Sequence, residues 1–275
     1  MINFRSNSLN DTPPVIKNLL IINVLMFILT NLMNEDNMVS LFGLHYFQSD
    51  YFRWWQVITH MFMHGGITHI FFNMFALWMF GKVLEQVWGS KRFLFYYMVT
   101  GIGAALIHTF VNYLSFSHIQ YAITAFGNTP SPELYASILR KYFNSNLNPS
   151  TLTANMEFIS AWAENASNPA YIAAATNNLH SYMTALINIP TVGASGAVFG
   201  VLLGFGMLFP NTELMLLFPP IPLKAKWVVI GYGSIELYMG LTQPGSNIAH
   251  FAHLGGMLFG FILIKYWNTK RTNFY

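Results

Sequence analysis

Thr191–Gly200 reads TVGASGAVFG, and VLLGFGMLFP continues it to Pro210 without a charge. One hydroxyl nucleophile, Ser195, stands between Gly193 and Gly196 at the mouth of this apolar run. A soluble hydrolase carries its serine on a strand-to-helix elbow reading G-x-S-x-G. Ala197 occupies the second position after this serine, so that signature is absent. The rest of the chain has to explain the glycine-bracketed serine.

The 275 residues are 54% hydrophobic and only 8% charged. Soluble domains carry about a quarter charged residues, so the composition is that of a membrane protein. Six apolar runs, near 15–34, 66–87, 92–114, 191–209, 226–243 and 249–267, each approach the roughly 20 residues needed to cross a hydrocarbon core. The expected architecture is an all-α membrane protein, a six-transmembrane-helix bundle forming a single domain over 1–275. The first run contains Asn18, Asn23 and Asn31 and lacks a small-residue cleavage site, so it reads as a true span and not as a removable signal.

Lys and Arg accumulate in cytoplasmic loops. With the N-terminus inside, Arg5, Lys17, Lys82, Lys91, Arg92, Lys224, Lys226, Lys265, Lys270 and Arg271 share one side, and Arg53, Arg140 and Lys141 the other. Both termini are therefore expected in the cytoplasm. The net charge of +3 reflects this topology and carries no sign of nucleic-acid binding. Without cysteine there are no disulfides and no thiolate-held metal.

Two segments outside the membrane stand out. Residues 35–65 carry Tyr46, Phe47, Tyr51, Phe52, Trp54 and Trp55, a composition suited to the outer interface. Residues 115–190 read as an extracytoplasmic helical insertion between helices 3 and 4. SPELYASILRKYF opens with a serine cap, Pro132 and Glu133, and later helices start at Asn-Pro. Leu152, Met156, Ile159 and Trp162 recur at helical spacing. The bundle core is then about 15–113 and 191–267.

Polar groups within spans mark functional candidates. His60, His64, His69 and Asn73 surround the start of span two, Ser195 the start of span four, and His250 and His253 the start of span six. These spans all run inward, so the three clusters share one depth. His69 and Asn73 are four apart and His250 and His253 three apart, each pair on one helix face. Gly256 and Gly260 form G-x-x-x-G, and Gly196, Gly200 and Gly204 repeat every four residues, which lets helices four and six approach.

Asp11, Asp36 and Asp50 all lie early, and no carboxylate neighbours either histidine in sequence. The chemistry that remains is a serine–histidine dyad, the histidine taking the serine proton and returning it to the leaving amine. The Ser195 backbone N–H, His69 and Asn73 are the candidate oxyanion donors. His60 and His64 lack the glutamate of H-E-x-x-H and read as structural hydrogen bonders. Glu85 is expected to anchor the turn into span three. Glu236 is either a buried bonded carboxyl or a gating element.

HMFMHGGITHIFFNMFALWMFG, GASG and AHLGGMLFG together resemble the rhomboid family of intramembrane serine proteases. The resemblance covers about 15–113 and 191–267. It implies Ser195 as nucleophile, His253 as base, His69 and Asn73 in the oxyanion hole, and Gly256 and Gly260 at the helix contact. Phe199 stands where members can carry a tyrosine packed on the catalytic histidine. Trp55-Gln56 departs from the family's Trp-Arg, which puts a loop anchor in doubt. The implied substrates are transmembrane segments of other proteins, cut near their outer ends, with the lipid bilayer as setting. No nucleic acid, cofactor or metal is expected. The expected location is a bacterial inner membrane. Two other readings are an inactive rhomboid-like binder of membrane helices, against which the intact Ser195 and His253 argue, and a histidine-lined metal or proton conduit, against which the shortage of intramembrane carboxylates argues.

Overall fold

The computed structural model describes residues 12–215, 220–242 and 249–269; Arg5, Asp11, Lys270 and Arg271 lie outside them, as does the last residue of the 226–243 run. Six helices fall on the six expected runs: α1 (Pro14–Leu32), α3 (Ile67–Trp88), α4 (Ser90–Asn128), α8 (Ser195–Leu208), α9 (Ala225–Thr242) and α10 (His250–Thr269). Between them lie α2 (Glu35–Phe42), α5 (Pro132–Ile138), α6 (Pro149–Glu164) and α7 (Pro169–Ile187). By length and composition α1, α3 and α4 can each cross a membrane. Apolar side chains cover the outside of the bundle, with Leu25 and Leu32 of α1 and Tyr238 and Leu241 of α9 all exposed. An apolar surface of that extent suits lipid and not water.

The bundle core joins Ile16 of α1, Leu77 and Leu84 of α3, Phe93 and Tyr97 of α4 and Val201 and Phe205 of α8. Glu85, fully enclosed, ties three elements at one end. Its carboxylate accepts the Val15 and Ile16 N–H groups at 3.0 and 2.8 Å and the Ser90 hydroxyl at 2.7 Å. It thus caps α1, whose first amides lack helical partners, as well as anchoring the turn into α4.

Three expectations need correction. The helix of the third run does not end at 114: α4 runs unbroken for 39 residues. Ser115, Ser117 and His118 lower the hydropathy there, but Ile119, Ile123 and Phe126 keep one buried face and no proline intervenes before Pro130. Second, the all-α reading misses an antiparallel pair, β1 (Glu213–Met215) with β2 (Pro222–Lys224), registered Glu213 opposite Lys224. Third, Met156 faces outward, 69% exposed, and Asn155 takes its place inside. Asn155 accepts the Tyr135 hydroxyl at 2.5 Å and donates to Tyr182 Oη and the Thr151 carbonyl at 2.8 Å.

Helices α5–α7 and the far end of α4 enclose a second core of Phe126, Tyr135, Phe143, Trp162, Ala175 and Leu179. The expected starts are in place. Ser131, Asn148 and Asn168 each accept a backbone N–H in the first turn of their helices, at 3.1, 2.8 and 2.9 Å.

Candidate active site

Three ties set the start of α8. Leu44 and Thr191 pair their backbones in both directions at 2.9 and 2.8 Å. Ser49 donates to Asn188 Oδ1 at 2.7 Å. The Gly193 N–H donates to the His60 carbonyl at 2.9 Å. Gly193 has φ +131°, a region that penalises a Cβ. A Cβ there would also press on the His69 ring at 2.9 Å. The stretch therefore turns tightly, lays His69 against the turn and releases Ser195 as the first residue of α8.

The helix contact is as close as the glycine spacing implies. A Cβ on Gly256 would collide with the Gly196 carbonyl, and one on Gly260 with the Tyr96 hydroxyl, which donates to the Gly200 carbonyl at 2.7 Å. Gly200 and Gly204 do not serve α10 alone: the first faces Thr100 of α4 and the second Leu84, Trp88 and Tyr96. The seam joins α8 to both α4 and α10.

At the head of the seam, where α8 begins, Ser195 Oγ lies 2.7 Å from His253 Nε2. Phe199, one turn along α8, stacks on the His253 ring at 4.2 Å and 4°. The third edge of the imidazole meets a group that sequence spacing did not place there. Glu236 Oε2 of α9 lies 3.0 Å from His253 Nδ1 and 2.6 Å from His250 Nδ1. Only the His250 contact is aligned as a full hydrogen bond; His253 Nδ1 meets the carboxylate obliquely. The absence of a neighbouring carboxylate holds along the chain but not in space.

Asn73 spends one amide N–H on the His69 carbonyl at 3.1 Å. Both residues line a cavity of about 1230 Å³ together with His60, His108, Ser195 and His253. His60 fits its structural reading, with Nδ1 2.8 Å from the Gln56 carbonyl. His64 does not: neither ring nitrogen has a hydrogen-bond partner, and the ring stands edge-on to His69 at 5.1 Å. His108 escaped the sequence reading, although it lies in the third run and lines the same cavity. Its Nε2 lies 2.9 Å from Thr191 Oγ1 and 3.3 Å from Asn112 Nδ2.

The loop anchor placed in doubt by Trp55-Gln56 is supplied by Gln56 itself. Fully buried, it accepts the His45 and Arg53 N–H groups at 3.3 and 3.0 Å and donates to the Ser40 and Tyr51 carbonyls at 3.1 and 3.0 Å.

Among the described residues, Glu236, His250 and His253 are the three whose donor atoms converge closely enough to suggest a metal. Ligands of a tetrahedral zinc with bonds of about 2.0–2.2 Å sit more than 3 Å apart. The 2.6 Å separation of Glu236 and His250 is that of a hydrogen bond.

The Rhomboid domain model matches residues 51–139 and 166–268 of this chain. The chain belongs to the rhomboid family. The match reaches further into the intervening segment than the expected core and leaves out 140–165, the stretch that holds α6. Among curated relatives, rhomboid protease GluP of Bacillus subtilis is 41% identical over 54 residues, 20% of this chain and 11% of that protein. Rhomboid protease AarA of Providencia stuartii is 34% identical over 85 residues, 30% of each. An uncharacterised mitochondrial rhomboid protein of Schizosaccharomyces pombe is 27% identical over 234 residues, 81% of this chain and 53% of that protein. The chain thus spans from about a tenth to about half the length of these relatives. Family and apolar helices make this an integral membrane protein. A bacterial origin does not follow, because the alignment over most of the chain is to a mitochondrial protein.

Proposed function

We propose that this protein is an intramembrane serine endopeptidase that cuts transmembrane segments of other membrane proteins near their outer ends. The observation that carries the reading is the 2.7 Å contact between Ser195 Oγ and His253 Nε2 at the head of a close-packed helix pair. Relatives named as rhomboid proteases support it at the level of the family. In this reading the six helices on the expected runs all cross the bilayer, both termini face the cytoplasm and the 115–190 segment lies outside.

His253 takes the Ser195 proton as Oγ attacks the scissile carbonyl, and then delivers it to the leaving amine. Water hydrolyses the acyl-enzyme by the same route. The free N–H groups at the start of α8, with His69 and Asn73, surround the developing oxyanion. Phe199 holds the imidazole plane.

The test is turnover of a model transmembrane substrate in liposomes together with labelling by a fluorophosphonate. Ser195→Ala and His253→Ala should each abolish cleavage, and Ser195→Ala should also abolish labelling, with the fold retained. Turnover by clean Ser195→Ala protein would sink the protease reading. A helix binder without catalysis would leave wild type unlabelled. The convergence of Glu236, His250 and His253 is the one observation favouring a metal site, and activity that is lost to a chelator and restored by zinc would favour it.

A further inference from the structure

Resting on that protease reading, we propose that Glu236 is a positioning residue for His253, so that the hydrolytic unit is Ser195–His253–Glu236 with His250 holding the carboxylate in place. A neutral imidazole can accept the Ser195 proton on Nε2 only if Nδ1 carries its hydrogen. That hydrogen needs an acceptor, and among the described residues the carboxylate oxygen 3.0 Å away is the acceptor present. Phe199 fixes the plane of the ring and Ser195 one edge; Glu236 meets the opposite edge. The three groups stand in line from hydroxyl through imidazole to carboxylate, the arrangement in which an acid fixes the tautomer and stabilises the imidazolium.

The placement of Glu236 has no other evident occupation. It is the last buried residue of α9; beyond it Leu237, Tyr238 and Leu241 are exposed, while Gly240 packs on His250 and Phe251 of α10. A buried carboxylate is costly without donors, and its partners are the two histidines one turn apart on α10. His250 engages the same oxygen squarely at 2.6 Å and so fixes where it points. The oblique approach to His253 Nδ1 leaves room for alignment as the imidazole gains charge, since catalytic hydrogen bonds often tighten only with substrate bound. The proton moves from Ser195 Oγ to His253 Nε2 and on to the leaving amine. The Nδ1 hydrogen stays on His253 throughout and Glu236 remains ionised.

The experiment compares Glu236→Gln, Glu236→Asp and His250→Ala with wild type for kcat, KM, fluorophosphonate labelling rate and thermal stability. Glu236→Gln presents an amide that can donate to Nδ1 and favour the wrong tautomer. Its kcat should fall by roughly two to four orders of magnitude, with KM within about threefold and labelling slowed in parallel. Glu236→Asp should recover part of the loss, and His250→Ala should fall between wild type and Glu236→Gln. Folded Glu236→Gln with wild-type kcat overturns the proposal, as does a change confined to KM, which would make Glu236 a latch between α9 and α10. Chelator-sensitive wild-type activity restored by zinc overturns it in favour of a metal. If Glu236→Gln does not fold, the imidazole nitrogen shifts of His253 in wild type decide, assigned against His253→Ala: Nδ1–H supports the proposal and Nε2–H overturns it. Ser195→Ala runs alongside. Its inactivity keeps the protease reading whatever Glu236 does, and its activity removes both.

Discussion

Gly256 lies so close to the Gly196 carbonyl that no side chain fits between α10 and α8, whereas Trp162, Tyr135 and Phe126 fill the space among α4–α6 with rings. Both regions are buried, yet they are built by opposite means. Between lipid-facing helices there is little apolar driving force, because lipid tails are as apolar as leucine; close backbone approach supplies the attraction instead. The 129–190 segment uses the devices of a water-soluble domain: capped helix starts, an aromatic interior and an interior asparagine with its hydrogen bonds made. A seam of small residues leaves no slack and holds Ser195 against His253. An aromatic core tolerates more adjustment and lies apart from the chemistry.

The sharpest way to break this comparison is Gly256→Ala. The added methyl meets backbone, which cannot swing aside, next to Ser195. Cleavage in liposomes should drop below detection, with lower thermal stability. Wild-type turnover would show that the seam is looser than described. Trp162→Ala, wholly buried in the other core, should cost about 3–5 kcal/mol of local stability. Hydrogen exchange should speed up in α5–α7 and leave α8 and α10 protected; equal loss of protection in both would mean one cooperative core.

Beside the seam, on α3, His69→Ala and Asn73→Ala test the proposed oxyanion donors. Loss of one such donor raises the barrier by about 2.7–4 kcal/mol, read as kcat with little change in apparent affinity. Asn73→Ala should be the milder, because one of its N–H groups is already committed to the His69 carbonyl. Normal turnover in both variants would remove them from the hole. The smallest effect belongs to Ser131→Ala, which removes the cap of α5. It should cost about 1 kcal/mol, seen as local exchange without loss of activity. A measurable loss of cleavage would couple the two regions more tightly than their packing implies.

The same contrast explains what could be read along the chain. That Ser195, His253, His69 and Asn73 meet at one cavity was legible because each pairs a local motif with the start of an apolar run. The caps at Ser131, Asn148 and Asn168 were legible because a cap is a matter of adjacent residues. Met156 continues the apolar spacing yet faces outward, while Asn155, which the sequence did not single out, becomes an interior residue only through Tyr135 and Tyr182 on other helices. The end of α4 was misread for a related reason: its apolar run weakens at Ser115, but the helix is carried on by a buried stripe facing α5–α7.

By itself the sequence determined the membrane class, the six apolar runs, the pairing of Ser195 with His253 as the candidate dyad and the glycine contact between the last and the fourth of those runs. Each rests on hydropathy, period or a motif within a few residues. The tertiary structure decided that Gln56 anchors the aromatic loop, that Gly193 must adopt a left-handed turn beneath His69, and that Glu236 reaches His253. Glu236 and His250 are 14 residues apart and on different helices, and no local period connects them. Their contact depends on how α9 is rotated and how deep it sits against α10, and only packing sets either.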